Sequence, residues 1–133
     1  MLIDSKANVN LQDWFGRTGL TLAANKGRLE FLKLLIDNNA DVNVQEAKGT
    51  TGLHSACYYG HAKFVRLLIE SKADVHLQNQ DGETGLTFAA WKGHLDCLKL
   101  MIEAEANVHF QGQLGRTGLQ YACQDFWRGG GRW

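Results

Sequence analysis

The chain has 133 residues, enough for one domain with a modest core. Fourteen Lys and Arg balance fourteen Asp and Glu, so no net field draws it toward nucleic acid or an anionic membrane. No apolar run approaches the roughly 18 residues a membrane span needs, and the opening MLIDSKANVN has no apolar stretch of the secretory kind. Three cysteines without close spacing do not make a disulfide framework. They favour a reducing setting, which points to the cytoplasm, with the nucleus also open. Proline is absent, where average usage of about 5% would supply roughly 7.

RTGL occurs at 17–20 and again at 116–119, 99 residues apart, which is three steps of 33. At that step many columns align. Thr18, Thr51, Thr84 and Thr117 each precede Gly-Leu. Gly16, Gly49, Gly82 and Gly115 form another column, and Gly27, Gly60 and Gly93 a third. Ile3, Ile36, Ile69 and Ile102 share a register, as do Gln12, Gln45, Gln78 and Gln111. A fixed period of this length means stacked units, none of which buries its apolar face alone.

Each unit predicts two helices and a turn. In 79–111, Thr84 is placed to cap a first helix, because its hydroxyl can accept an orphan N–H of the first turn. Leu86, Ala89 and Ala90 follow on one helical face, and Gly93 ends the helix. The second helix, HLDCLKLMIEA, carries an apolar face through Leu95, Leu98, Met101 and Ile102. An alternating stretch with a DG turn signal then predicts an extended hairpin.

A 33-residue helix–helix–hairpin unit with these columns resembles the ankyrin repeat. The stretches DWFGRTGLTLAANKGRLEFLKLLIDNNADVN at 13–43 and DGETGLTFAAWKGHLDCLKLMIEAEANV at 81–108 carry the likeness. It implies an all-α repeat solenoid of stacked helix-turn-helix units joined by β-hairpin loops. Residues 13–45, 46–78 and 79–111 are complete repeats. Residues 1–12 and 112–125 are partial ones, and 126–133 form a disordered tail. Incomplete ends suggest an excerpt of a longer array.

The family's proline at the first position of the first helix is glycine here: Gly19, Gly52, Gly85 and Gly118. Proline fits that position because its missing N–H is an orphan anyway. Glycine keeps the geometry at an entropic cost of a few tenths to about 1 kcal/mol per repeat. The family's left-handed glycine after the second helix is Lys6, Asn39, Lys72 and Glu105. Asn tolerates that conformation; the others are strained or cap differently. Phe126 stands where a fourth inter-helix glycine is due.

No constellation argues for catalysis. Cys57 and Cys123 occupy a small slot of the first helix, and Cys97 lies on a second helix; all three read as small core hydrophobes. Cys57 and Cys123 are two repeats apart. With helices about 8–10 Å apart, that exceeds the roughly 7 Å Cα limit for a disulfide. The resemblance makes His54, His61 and His94 structural. His76 and His109 lie one repeat apart with no third ligand in view, so no metal is expected. No phosphate loop is present, and no cofactor or small-molecule substrate is expected. The tail WRGGGRW is too short a basic-aromatic signal to predict nucleic-acid binding.

A partner surface is the expected functional feature. At about 100° per residue, with Leu53 at 0°, Tyr58 falls near 140° and Tyr59 near 240°, both turned from the core. The same register turns Trp91, Lys92 and Lys26 outward. The resemblance makes this first-helix face concave and, with the hairpin tips, the usual contact surface. The candidates are Trp14, Phe15, Arg17, Lys26, Tyr58, Tyr59, Trp91 and Lys92, which contribute the residue types that dominate interfaces. The competing reading is that these rings pack over neighbouring repeats, helped by Phe88 and Tyr121. The expected function is non-catalytic protein–protein recognition by a monomer. The alternative is a spacer segment of a longer array with no partner of its own.

Overall fold

The computed structural model describes residues 9–104. They form three helix pairs: α1 (Gly19–Lys26) with α2 (Leu29–Asp37), α3 (Gly52–Tyr59) with α4 (Ala62–Glu70), and α5 (Gly85–Lys92) with α6 (Leu95–Glu103). Only two residues separate the helices of a pair, so each pair folds back on itself. Residues 1–8 and 105–133, with the expected tail and the last partial repeat, lie outside the described residues.

Each first helix starts where a threonine can cap it. Thr18, Thr51 and Thr84 are extended, with φ −115°, −103° and −112°. The bonding is reciprocal in all three. In α1 the Thr21 N–H donates to Thr18 Oγ1 at 3.4 Å, and the Thr18 N–H donates to Thr21 Oγ1 at 2.9 Å. Two orphan donors are thereby satisfied at one helix end. Gly27, Gly60 and Gly93 then end the helices at φ 67°, 77° and 73°.

These glycines also make room for the next unit. A Cβ on Gly27 would lie 2.5 Å from His61 Nδ1, and one on Gly60 would lie 2.6 Å from His94 Nδ1. Each histidine reaches back one repeat: His61 Nε2 lies 3.3 Å from the Asn25 carbonyl and His94 Nε2 lies 3.0 Å from that of Tyr58. The histidines at the inter-helix turns therefore stitch repeats together.

The loops are ladders rather than strands. Among the described residues no strand forms. Each expected hairpin shortens to a turn closed by two backbone bonds, such as Asp13 N–H to Arg17 C=O at 2.9 Å and Gly16 N–H to Asp13 C=O at 3.0 Å, and neighbouring turns are joined by Ala47 N–H to Phe15 C=O and Gln80 N–H to Lys48 C=O. Side chains add further rungs to the ladder. The Gln12 amide donates to its own turn at Gly16 C=O (2.8 Å) and across to Gln45 C=O (3.1 Å); Gln45 repeats this with Gly49 and Gln78. The 33-residue glutamine column is thus a hydrogen-bond column.

One core runs through all three pairs. It holds Leu20, Ala24, Leu32 and Leu35; Leu53, Ala56, Phe64 and Leu68; and Leu86, Ala89, Ala90 and Met101. Small residues let α1, α3 and α5 pack closely, while α2, α4 and α6 touch less across repeats. The array therefore curves toward its first helices. The apolar face expected of the last second helix is corrected. Leu98 and Met101 are buried, but Leu95 is 70% exposed and Ile102 42% exposed. Leu95 is the first residue of α6, before the helix meets the core, and the inward face runs through Cys97, Leu98 and Met101.

Candidate protein-binding face

The outward side of the first helices carries an aromatic cluster with Tyr58 at its hub. The Tyr58 ring makes edge contacts with Tyr59 on its own helix and with Phe88 and Trp91 on α5, at centroid distances of 4.9, 5.7 and 6.1 Å. Phe88 stacks on Trp91 at 6.2 Å and meets His54 edge-on at 5.7 Å. Edge and offset arrangements are those the ring quadrupole favours. The Lys92 ammonium lies 4.7 Å from the Tyr58 centroid and 4.9 Å from that of Trp91. The cluster is anchored rather than floppy, yet Tyr59 remains 52% exposed and Trp91 41%.

A second group stands on the first hairpin. Trp14 is 99% exposed and Phe15 is also exposed. Arg17 lies 5.0 Å over the Phe15 ring, and its Nε donates to Asp13 Oδ2 at 2.7 Å. The Arg17 backbone, together with that side chain, holds the Asp13 carboxyl below its ordinary range. Lys26 is exposed in the last turn of α1. The structure thus brings Tyr58, Tyr59, Trp91 and Lys92 together, gathers Trp14, Phe15 and Arg17 at the hairpin, and leaves Lys26 on α1. Tyr58 differs from the outward expectation: it is half-buried, because its ring spans the gap between α3 and α5.

His54 is 2% exposed and lies behind the cluster. The Thr51 N–H donates to its Nδ1 at 3.0 Å, so the ring proton sits on Nε2, 2.8 Å from the Glu83 carbonyl. Burial lowers the His54 pKa, opposed by that carbonyl. The Glu83 carboxyl is raised, chiefly by burial, with a Thr87 interaction opposing. Its Oε2 has no hydrogen-bond partner.

One pairing escaped the sequence reading. The thiols of Cys57 on α3 and Cys97 on α6 lie against each other. The interaction raises the pKa of Cys57, which burial raises further, and lowers that of Cys97. Their separation of 40 residues is one repeat plus seven, and those seven cross the turn between α5 and α6, so no helical spacing in the sequence signals the pair. Both thiols are free and buried. Among the described residues, no three His, Cys, Asp or Glu side chains converge as metal ligands, and no helix is long and apolar enough to cross a membrane. His109 lies outside the described residues.

The comparison with protein families decides the class. A family model described as ankyrin repeats (3 copies) matches residues 1–79 and 63–128. The chain belongs to the ankyrin-repeat family. No curated protein matches it in a sequence comparison. Ankyrin repeats are generally protein–protein interaction modules and are typically non-catalytic. The glycines that replace proline are thus a departure within an ankyrin array.

Proposed function

We propose that the chain recognises a partner protein on the curved inner face of its ankyrin array and on the first hairpin. Tyr58, Tyr59, Trp91 and Lys92 form the central contact, Lys26 flanks it, and Trp14, Phe15 and Arg17 extend it. The observation that carries this reading is the anchored yet accessible pair Tyr59 and Trp91, held through Tyr58 and Phe88. Rings fixed in place lose little entropy on binding, and hot spots are rich in Trp, Tyr and Arg. The face has no role in catalysis and needs no cofactor. The chain acts as a monomer in the cytoplasm or nucleus.

The packing role of Tyr58 favours one competing reading, a spacer segment whose rings only join repeats. Photo-crosslinking separates the two. A benzophenone amino acid replaces Tyr59 in one preparation and Leu95, exposed on α6, in another. The proposal expects a protein adduct in lysate from the first position and none from the second. Equal adducts, or none at either, would favour the spacer.

A further inference from the structure

The inner helices share a charge pattern that sharpens the partner's chemistry. The sequences GLTLAANK, GLHSACYY and GLTFAAWK of α1, α3 and α5 contain no Asp or Glu. Their charges are Lys26 and Lys92, both exposed. The second helices mix signs, with Glu30, Asp37, Glu70, Asp96 and Glu103 beside Lys33, Lys63, Arg66 and Lys99, and the turns carry Asp13, Glu46, Asp81 and Glu83. The whole chain is neutral, so the acid-free inner helices are a local feature rather than part of an overall excess. Neither lysine pairs with a carboxylate among the described residues. Lys92 rests on Tyr58 and Trp91, whose faces attract it without neutralising it.

Resting on the proposed binding face, we infer that its occupant is an acidic, extended protein segment with an apolar or aromatic residue between its carboxylates. The spacing follows from the fold. Lys26 and Lys92 share one register two repeats apart. At about 10 Å between neighbouring helices they stand roughly 20 Å apart. An extended chain rising about 3.3 Å per residue covers that distance in about six residues. Carboxylates at that interval reach both ammonium groups, while the residue between them meets Tyr59 and Trp91. A basic segment meets these two cations on the same face and is rejected, and like-charge contact of this kind sets specificity.

The test uses the whole chain and two fluorescein-labelled 12-residue peptides. Each has Phe at its centre and paired charges about six residues apart, Glu in one and Lys in the other. Fluorescence anisotropy at about 50 mM salt should show the Glu peptide binding and the Lys peptide not. Lys26→Glu with Lys92→Glu should weaken the Glu peptide about tenfold and let the Lys peptide bind. Lys26→Ala with Lys92→Ala, which places no acid at a helix C-terminus, should weaken it too. Circular dichroism should show both variants folded. Equal binding of the two peptides, binding of neither, or Glu-peptide binding insensitive to both double variants would overturn the inference. Its failure is distinguishable from failure of the face. A cellular partner lost on Tyr59→Ala with Trp91→Ala but retained by the lysine variants leaves the face standing and removes the acidic segment.

Discussion

The Nε2 of His54 in α3 donates to the carbonyl of Glu83, one repeat on, at 2.8 Å. The same ring accepts the Thr51 N–H through Nδ1 at 3.0 Å, so a single side chain caps its own helix and bonds the next repeat. Thr21 and Thr87 hold the corresponding positions and turn their hydroxyls back to the Thr18 and Thr84 carbonyls, at 3.1 and 2.8 Å. Only the second unit makes this bond among the described residues. His54→Thr should keep the cap and lose the bond, at a cost of about 1 kcal/mol. His54→Ala loses both and should cost about 2 kcal/mol or more. Urea unfolding of the three proteins checks the order.

The same ring predicts a pH dependence. His54 is lowered in the folded chain, so folding favours its neutral form. Its stabilisation is present above the unfolded value near 6.5 and is lost as pH falls through the folded one. A charged ring would carry a proton on Nδ1, where the Thr51 N–H needs an acceptor. The midpoint of thermal unfolding should fall as pH drops below about 6.5, and His54→Thr should flatten that fall. An equally steep fall in the variant would assign it to other groups.

Glu83 should behave in the opposite sense. Its carboxyl is raised by burial, so folding favours the protonated form. Stability from this group is full below its unfolded value and is lost as pH rises through the folded one. Glu83→Gln should therefore unfold at a higher temperature than the parent at pH 7, and the gain should vanish near pH 4. Melting curves at the two values decide it.

The three described glycines at the start of the first helices are not equivalent. A Cβ on Gly19 would meet only Leu35 methyls at 3.6 and 3.7 Å, whereas one on Gly52 would lie 2.5 Å from Leu20 Cδ2. Thr18 is already extended, as the residue before proline must be. Gly19→Pro should stabilise by about 0.5–1 kcal/mol through the unfolded chain. Gly52→Pro should gain less or nothing, because Leu20 has to move. Denaturant midpoints of the two variants give the comparison, and a larger gain from Gly52→Pro would contradict this packing.

Lys72 follows α4 with φ 71°, in the left-handed region. A side chain there costs about 1–2 kcal/mol relative to glycine. Lys72→Gly should stabilise by about 1 kcal/mol after the added unfolded-state entropy. Asn39, at φ 64°, should gain less when replaced, since Asn tolerates this region. Paired urea titrations check both.

Most of the fold was legible because the period repeats each local signal. Thr18, Thr51 and Thr84 cap helices where the columns put them, and Gly27, Gly60 and Gly93 end them. The site was legible as a face but not in its contacts. A helical wheel turns Tyr58 outward, yet it cannot know that the next helix presents Phe88 at 5.7 Å and draws the ring into the gap. Cys57 and Cys97 meet between a first helix and the second helix of the next unit, a contact invisible to a scan at 33 alone. Leu95 counts as apolar on any scale, but its place at the first turn of α6 leaves it in solvent.

The ring contacts also divide the aromatic residues by role. Tyr58→Ala removes a bridge between α3 and α5 and should cost about 1–3 kcal/mol. Tyr59→Ala should cost under about 1 kcal/mol, as its exposed side faces solvent. Equal losses would mean that the outer ring is also structural.

The measurement that tests the binding face most directly is a paired capture from lysate. One bait is the chain, and the other carries Tyr59→Ala and Trp91→Ala, with Tyr58 kept so that the fold survives. Circular dichroism and urea midpoints should show both folded. A protein held by the first bait and lost by the second is the predicted result. The same proteins recovered by both, or none by either, would contradict recognition on the inner face.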